Sequence, residues 1–294
     1  MPTDVPPPGV SSRSQLLAAG VRPSTEGWHR LRRAHYIERS RFFASRHRER
    51  LAAEAAAAVL RLSGDAAASH ETAAVMHGLP VLGLRNQRSV HVTRVRRYQG
   101  LTPLPGLLVH NAGLPGEHLC VVDGVATTSV ARTVVDLARR RPFRAGVVAA
   151  DAALHLGLCT GDELLRVLDD CFGWPGIVKA RGVVRFADDR AESPLESISR
   201  VALVRRGLPM PELQVVIGFD RVDFFWPAWN VVGEADGLEK YTGIACIVRE
   251  KEREERLREY GCHLVRWLWA EAYRRPDALG DRVWVVLTRA GWRP

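Results

Sequence analysis

Two short apolar runs that carry carboxylates constrain this chain more than any other stretch: VDFFWPAWNVVGEADGLEKY, residues 222–241. Runs of Val, Phe and Trp bounded by turn residues read as strands, and Pro227 and Asn230 mark the turn between them. Strand side chains alternate faces, so Glu234 and Asp236 share a face. A short hairpin sets Asp223 on the neighbouring strand beside them. A strand that is only structural gains nothing from carboxylates among its apolar residues, because an unpaired buried charge costs free energy.

Converging carboxylates repel and raise one another's pKa. A hard divalent cation, Mg²⁺ or Mn²⁺, removes that conflict, since it takes oxygen ligands at close range. It also acidifies a bound water and screens charge developing on phosphorus. Lys240, four residues past Asp236, is the candidate that orients the water or stabilises the transition state. The competing reading puts Glu234 and Asp236 on the solvent face of an edge strand and makes Asp223 a turn residue.

The surrounding order is legible. ESPLESISRVALVRRG reads as a helix ended by Gly207, with Glu192 and Glu196 four apart on one face and Arg200 one turn further. LQVVIGF is a strand, Phe219-Asp220-Arg221 a tight turn and RVDFFW the return strand. NVVGEADG is the third strand, REKEREERLREYG a charged helix with a solvated face, and HLVRWLW a fourth strand. FADDRAESPLES, polar and acidic, marks the junction near residue 188.

Upstream, residues 12–50 hold ten Arg. SRSQLLAAG reads as a short capped helix, a second short segment follows, and WHRLRRAHYIERS reads as a basic turn into a strand. That is the plan of a small winged helix-turn-helix, and it makes Arg30, Arg32, Arg33, Arg39 and Arg41 candidate nucleic-acid contacts. RERLAAEAAAAVLRLSG and SHETAAVMHGLP read as helices, SVHVTRV and LLVHNAG as strands. TTSVARTVVDLARR is an amphipathic helix, and TGDELLRVLDD opens with Thr160 and Glu163 at capping-box spacing. No glycine-rich phosphate loop or nucleophile elbow is present. His70, His77, His91 and His110 are scattered without an HxxxH pair, which points to structural or surface roles.

Charge supports a polyanionic partner: the net charge is +9, and 39 of the 42 basic residues are Arg. No apolar run approaches the ~20 residues of a membrane span. No signal peptide is visible in the Pro-rich start, and the five Cys lack CxxC spacing, so a reduced, cytoplasmic setting is expected.

The order Glu196 on a helix, Asp223 on a strand, Glu234-Ala235-Asp236 on the next, then helix and strand, resembles the PD-(D/E)XK nuclease superfamily. The closest branch is that of very-short-patch-repair (Vsr) endonucleases. ESPLES, GLPMPELQ, VDFFWP, VVGEADGLEKY and REKEREERLREYGCHLVRW carry the resemblance over about residues 190–272. It implies Glu196, Asp223, Glu234 and Asp236 as metal ligands. The superfamily's Lys, two residues after the acid, is replaced here by Asp236, and Lys240 is a candidate substitute. Residues 12–188 resemble AbiEi-type antitoxins of type IV toxin–antitoxin systems, through SQLLAAGV, LRRAHYI, SHETAAVMHGLP, VHVT and TTSVARTVVDLA.

The expected chain is therefore mixed α/β, with a leader at 1–11, a winged-helix-like segment at 12–50, an AbiEi-like α/β domain at 51–188 and an αβββαβ nuclease-like domain at 189–294. The leading expectation is a DNA-binding, Mg²⁺- or Mn²⁺-dependent endonuclease. The alternative is a non-catalytic AbiEi-like regulator with a degenerate nuclease fold. A third reading is an antitoxin that binds a cognate toxin.

Overall fold

The computed structural model describes residues 9–23, 27–62, 66–83, 89–95, 105–236 and 244–294, with side chains left out at 244–247. The chain divides into two compact units, one of residues 1–149 with 157–185, the other of residues 150–156 with 186–294. The protein is mixed α/β, with three sheets among the described residues.

The first unit opens with β1 (Val10–Ser12), α1 (Arg13–Ala18), β2 (Trp28–Arg32), β3 (His35–Glu38), α2 (Arg39–Ala44) and α3 (His47–Arg61). Val10 and Ser11, expected to close the leader, form β1 instead, and Val10 is buried. Ser12 caps α1, accepting from the Gln15 amide at 3.2 Å while its own amide donates to the Gln15 side chain at 2.8 Å. The three strands pair antiparallel in the order β1-β3-β2. The hairpin between β2 and β3 turns at Ala34, which takes a left-handed φ of 66°. A second helix, expected between α1 and the hairpin, is absent among the described residues 19–23 and 27.

The larger sheet follows: β4 (Ala66–Ala68), α4 (His70–Met76), β5 (Val90–Arg94), β6 (Leu107–Asn111), β7 (Leu119–Val122) and β8 (Val125–Thr128), in the order β6-β5-β4-β8-β7. The alanines of α3 explain its seat. Ala55, Ala56, Ala57 and Ala58 carry no bulk beyond a methyl, so the helix lies close on this sheet, in one core with Val90, Val92 and Val125. Next come α5 (Val130–Arg140), α6 (Phe143–His155), α7 (Gly161–Asp170) and α8 (Ile177–Phe186). Ser129 caps α5, and the expected Thr160–Glu163 capping box opens α7.

The second unit runs α9 (Pro194–Arg205), β9 (Glu212–Ile217), β10 (Asp220–Trp226), β11 (Val231–Asp236), α10 (Ile244–Glu259), β12 (His263–Leu268), α11 (Trp269–Arg274) and α12 (Pro276–Arg289). Its four-stranded sheet has the order β12-β11-β10-β9. β9, β10 and β11 form an antiparallel meander, and β12 joins β11 in parallel. Asn230, left-handed at φ 50°, turns the chain into β11, and its side-chain amide donates to the Tyr260 carbonyl at 2.9 Å. On one face Phe224, Gly233 and Trp267 interlock, and the Trp267 indole donates to Ser199 Oγ at 2.7 Å. On the other, Val222, Val232, Leu257 and Cys262 form a smaller core. Deeper in the unit, buried Arg200 reaches both oxygens of fully buried Asp151 at 3.0 and 3.1 Å.

Among the described residues, no helix is long and apolar enough to cross a membrane.

Candidate functional site

Glu196 sits in the first turn of α9, and its position follows from the local sequence. Pro194 suits the first helical position because its missing N–H is not needed there. Ser193 is then the cap, accepting from the Glu196 amide at 3.2 Å. Glu192 therefore precedes the helix, which corrects the expectation of Glu192 and Glu196 on one helical face. Glu192 instead holds Arg221 in a bidentate pair at 2.6 and 2.8 Å. Glu196 Oε1 accepts from Ser193 Oγ at 2.6 Å, and Oε2 accepts from the Glu192 amide at 3.0 Å and the Gln214 side chain at 2.9 Å. Burial pushes its carboxyl above the usual range and the charge of Asp223 adds to that, against the pull of the cap hydrogen bonds.

β10 pairs with β11 as far as Phe224↔Gly233, and Asp223 and Glu234 follow on the two strands, close enough for the charge of Asp223 to act on Glu234. Asp223 Oδ2 accepts from the Ala235 amide at 2.8 Å. Alternation fails at this point. Val222 and Phe225, three apart, both pack on the cluster of Val232 and Leu257. On the neighbouring strand Gln214 takes φ 55°, a left-handed conformation rare for a side chain of its size. A backbone irregularity thus lies beside the carboxylates, and its residue is the one whose amide reaches Glu196.

Glu234 and Asp236 are buried, and β11 lies between β10 and β12. The solvent-exposed edge strand weighed above is not what forms. Glu234 is 2% exposed, and its Oε1 lies 2.7 Å from Arg253 Nη2. Burial and the charge of Asp223 push its carboxyl up to about 7, with Arg253 pulling the other way. Asp236 closes β11 opposite Leu268, and Arg266 stands opposite Glu234. Lys240 lies outside the described residues.

The charged helix is not simply a solvated face. Leu257 is fully buried, so Arg253, one turn earlier, also faces the sheet. Arg253 donates to Glu234 and to the Arg221 carbonyl, the latter at 2.7 Å, and lies 3.3 Å from Glu250. Glu250 in turn accepts from Arg266 at 2.6 Å. Asp220, expected in a turn, is instead buried in β10, where the Arg256 guanidinium grips it at 2.8 and 2.9 Å and holds its carboxyl below the usual range. The signal for Arg253 was present in the i, i+4 spacing to Leu257.

The five candidate arginines of the first unit divide. Arg30, Arg33, Arg39 and Arg41 are exposed on the hairpin and α2. Arg32 is committed elsewhere: its guanidinium donates to the carbonyls of Gly106 at 2.8 Å and Pro105 at 3.3 Å.

The histidines read as scattered are not. His70 at the start of α4, His91 on β5 and His110 on β6 meet, one ligand atom from each lying within 4.8 Å of the others. Among the described residues this is the set of three potential ligands that closes to such distances. Parallel pairing of β5 with β6 brings His91 and His110 together, with His91 Nδ1 3.1 Å from His110 Nε2. His91 Nδ1 also faces Glu71 Oε2 at 3.0 Å, and His70 Nδ1 faces Ser69 Oγ at 3.0 Å. Burial lowers the pKa of all three, that of His110 to about 3, so the cluster is uncharged at neutral pH.

These features define a mixed α/β protein with a carboxylate cluster in one unit and a histidine cluster in the other. Residues 66–182, which include all three clustered histidines, match the family described as AbiEi antitoxin C-terminal domain. Uncharacterized protein Rv2248 of Mycobacterium tuberculosis H37Rv is 34% identical over 238 residues, spanning 78% of this chain and 84% of that protein. Uncharacterized protein MT2308, from another strain of that species, matches to the same extent. The chain belongs to the family of these two mycobacterial proteins.

Proposed function

We propose that this protein is a DNA-binding regulator of the antitoxin type, acting in a toxin–antitoxin or abortive-infection system in the cytoplasm. The match of residues 66–182 to the AbiEi antitoxin C-terminal domain carries this reading. The exposed Arg30, Arg33, Arg39 and Arg41, in a chain of net charge +9, support a duplex-DNA partner held through phosphates. A cognate toxin is the second partner such a regulator implies. The test is fluorescence anisotropy of the full chain on duplex DNA from upstream of its own gene, against scrambled duplex, across a salt series. Binding that prefers the upstream DNA and weakens with salt supports the reading. Equal or absent binding to both duplexes removes it.

A second reading, a divalent-metal endonuclease, is favoured by one observation: the charge of Asp223 acts on a buried Glu234 in a unit ordered helix, three strands, helix, strand. Glu196, Asp223, Glu234 and Asp236 would be the residues around Mg²⁺ or Mn²⁺, and Lys240 the candidate that orients the water or stabilises the transition state. As arranged, the residues do not fit that ion. Glu196 spends both oxygens on the cap and Gln214, Asp223 holds the Ala235 amide, and Glu234 holds Arg253. The Lys position of the superfamily is occupied by Asp236. Purified protein that cleaves single-stranded, duplex, nicked or mismatched DNA with Mg²⁺ or Mn²⁺, and loses cleavage in Glu234→Gln, would restore this reading.

A further inference from the structure

We propose that His70, His91 and His110 form a binding site for a transition-metal ion of the zinc class. This inference stands on the first unit alone and is independent of both readings above.

The geometry comes first. Two nitrogens bound tetrahedrally at ~2.0–2.1 Å lie about 3.3 Å apart. His91 Nδ1 and His110 Nε2 are already 3.1 Å apart. The third imidazole comes from a different element, and its ligand atom is within 4.8 Å of the other two. His70 Nδ1 is held by Ser69 Oγ, which leaves Nε2 as its open nitrogen. The His70 ring stacks on His110 at 3.7 Å between centroids, so binding turns that ring off the stack about its side-chain torsions. Three imidazoles leave a fourth tetrahedral position for water or an external ligand.

The surroundings are those of a ligand set. His70 is held at φ 52°, a left-handed conformation that a histidine keeps only where its neighbours enforce it. Ser69 in turn accepts from Thr93 Oγ1 at 2.8 Å, and Thr72 Oγ1 accepts from the His91 amide at 2.8 Å. The first fixes the hydroxyl that meets His70 Nδ1, the second the backbone that carries His91. Glu71 Oε2 lies 3.0 Å from His91 Nδ1, the same nitrogen that faces His110, so its charge borders the ion's position rather than the far side of the ring, and its Oε1 lies 3.6 Å from Arg141.

The identity of the ion follows from charge and softness. Arg132, Arg139 and Arg140 act on these rings against a cation, while Glu71 and Asp136 act for it. A site of three imidazoles with no carboxylate among its three ligands suits Zn²⁺, Cu²⁺, Ni²⁺ or Co²⁺ and disfavours Mg²⁺ and Ca²⁺, which need oxygen.

The experiment is Zn²⁺ titration of the full chain by calorimetry, with Co²⁺ absorption as a second readout. Wild type binds one Zn²⁺ per chain and gives the visible bands of tetrahedral Co²⁺. His91→Ala and His110→Ala, both at partly exposed positions, each weaken binding at least tenfold and lose the bands. Glu71→Gln, which removes a negative charge beside the ion, weakens binding several-fold while the bands persist. His77→Ala, a histidine outside the triad that bonds the Thr128 carbonyl, leaves the titration unchanged. Circular dichroism of each variant confirms that it is folded. No binding by wild type, or equal binding by folded His91→Ala and His110→Ala proteins, leaves a hydrogen-bonded histidine cluster only and overturns the proposal.

Discussion

The Arg253 guanidinium holds the Glu234 carboxylate at 2.7 Å and, through the same nitrogen, the carbonyl of Arg221. One side chain from α10 thus ties down both the acid of β11 and the backbone of β10. The Glu234 oxygen that it takes is one that a metal of the second reading would need.

Removing that cation should strand a buried charge. Arg253→Ala is expected to destabilise the second unit by about 3 kcal/mol at pH 8, the low end for breaking a buried pair. At pH 5 the loss should be smaller, because Glu234 is then protonated. Adding Glu234→Gln to Arg253→Ala should recover part of the loss. Urea unfolding of the four proteins of this cycle measures it, and strictly additive effects would sink the pairing argument.

Glu234 also predicts a pH dependence of stability. The unfolded carboxyl titrates at its ordinary 4.5, the folded one at about 7. Between these values the folded protein binds the extra proton, so this group's contribution falls as pH rises through that window. It is fully favourable below 4.5 and has levelled off above 7. Glu234→Gln should remove a fall of about 3 kcal/mol across the window. Asp151, pushed up to about 6 by burial, stays in both proteins and cancels in the comparison. Parallel stability curves for wild type and variant between pH 5 and 8 would show that Glu234 is ionised throughout.

Gly233 lies under an indole. A Cβ there would meet Trp267 Cη2 at 2.6 Å and Phe224 Cβ at 3.2 Å. Gly233→Ala should therefore cost about 1–3 kcal/mol by overpacking. Trp267→Phe, which frees space at that point, should make the same alanine cheaper. Melting temperatures of the single and double variants test this, and an alanine tolerated beside the intact Trp267 contradicts it.

The arginines of the first unit should separate by role. Replacing Arg30, Arg33, Arg39 and Arg41 together by Ala should weaken duplex binding and flatten its salt dependence by up to about four phosphate contacts, with little change in melting temperature. Arg32→Ala should lower stability instead, since it removes the guanidinium bonds to the Gly106 and Pro105 carbonyls and leaves Gly106 with the Val90 amide alone. Measuring binding and melting on both proteins distinguishes the roles. A stability loss in the fourfold variant would mean that those side chains are not free surface groups.

What the sequence showed and what it hid divide along local lines. Thr160 and Glu163 announce α7 because a capping box is complete within four residues. The strands of the second unit announce themselves by apolar runs between turn residues. Glu192 misled because its spacing to Glu196 fits a helix, while Ser193 and Pro194 start that helix one residue later. Arg253 was hidden by its neighbours: a helix rich in Glu and Arg looks solvated everywhere unless its single apolar row is traced to Leu257. The histidine cluster could not be read at all. His70, His91 and His110 are joined by parallel strand pairing and a strand-to-helix turn, and no spacing rule covers residues 19 to 21 positions apart. The second helix of a winged helix-turn-helix was inferred from motif order alone, and the described residues between α1 and β2 do not form it.

The parallel pairing of β12 with β11 also biases the order of assembly. β9, β10 and β11 close through short turns, whereas β12 can reach β11 only after residues 237–262 have looped back. Closing a loop of that length costs more chain entropy than closing the turns, which favours the meander forming before the fourth strand arrives. Until then the ladder edge of β11 is open and the seat of Trp267 over Gly233 is empty. A nascent or stalled second unit would therefore present an unpaired strand edge and an apolar cleft together, the surface that holdase chaperones and self-association both exploit.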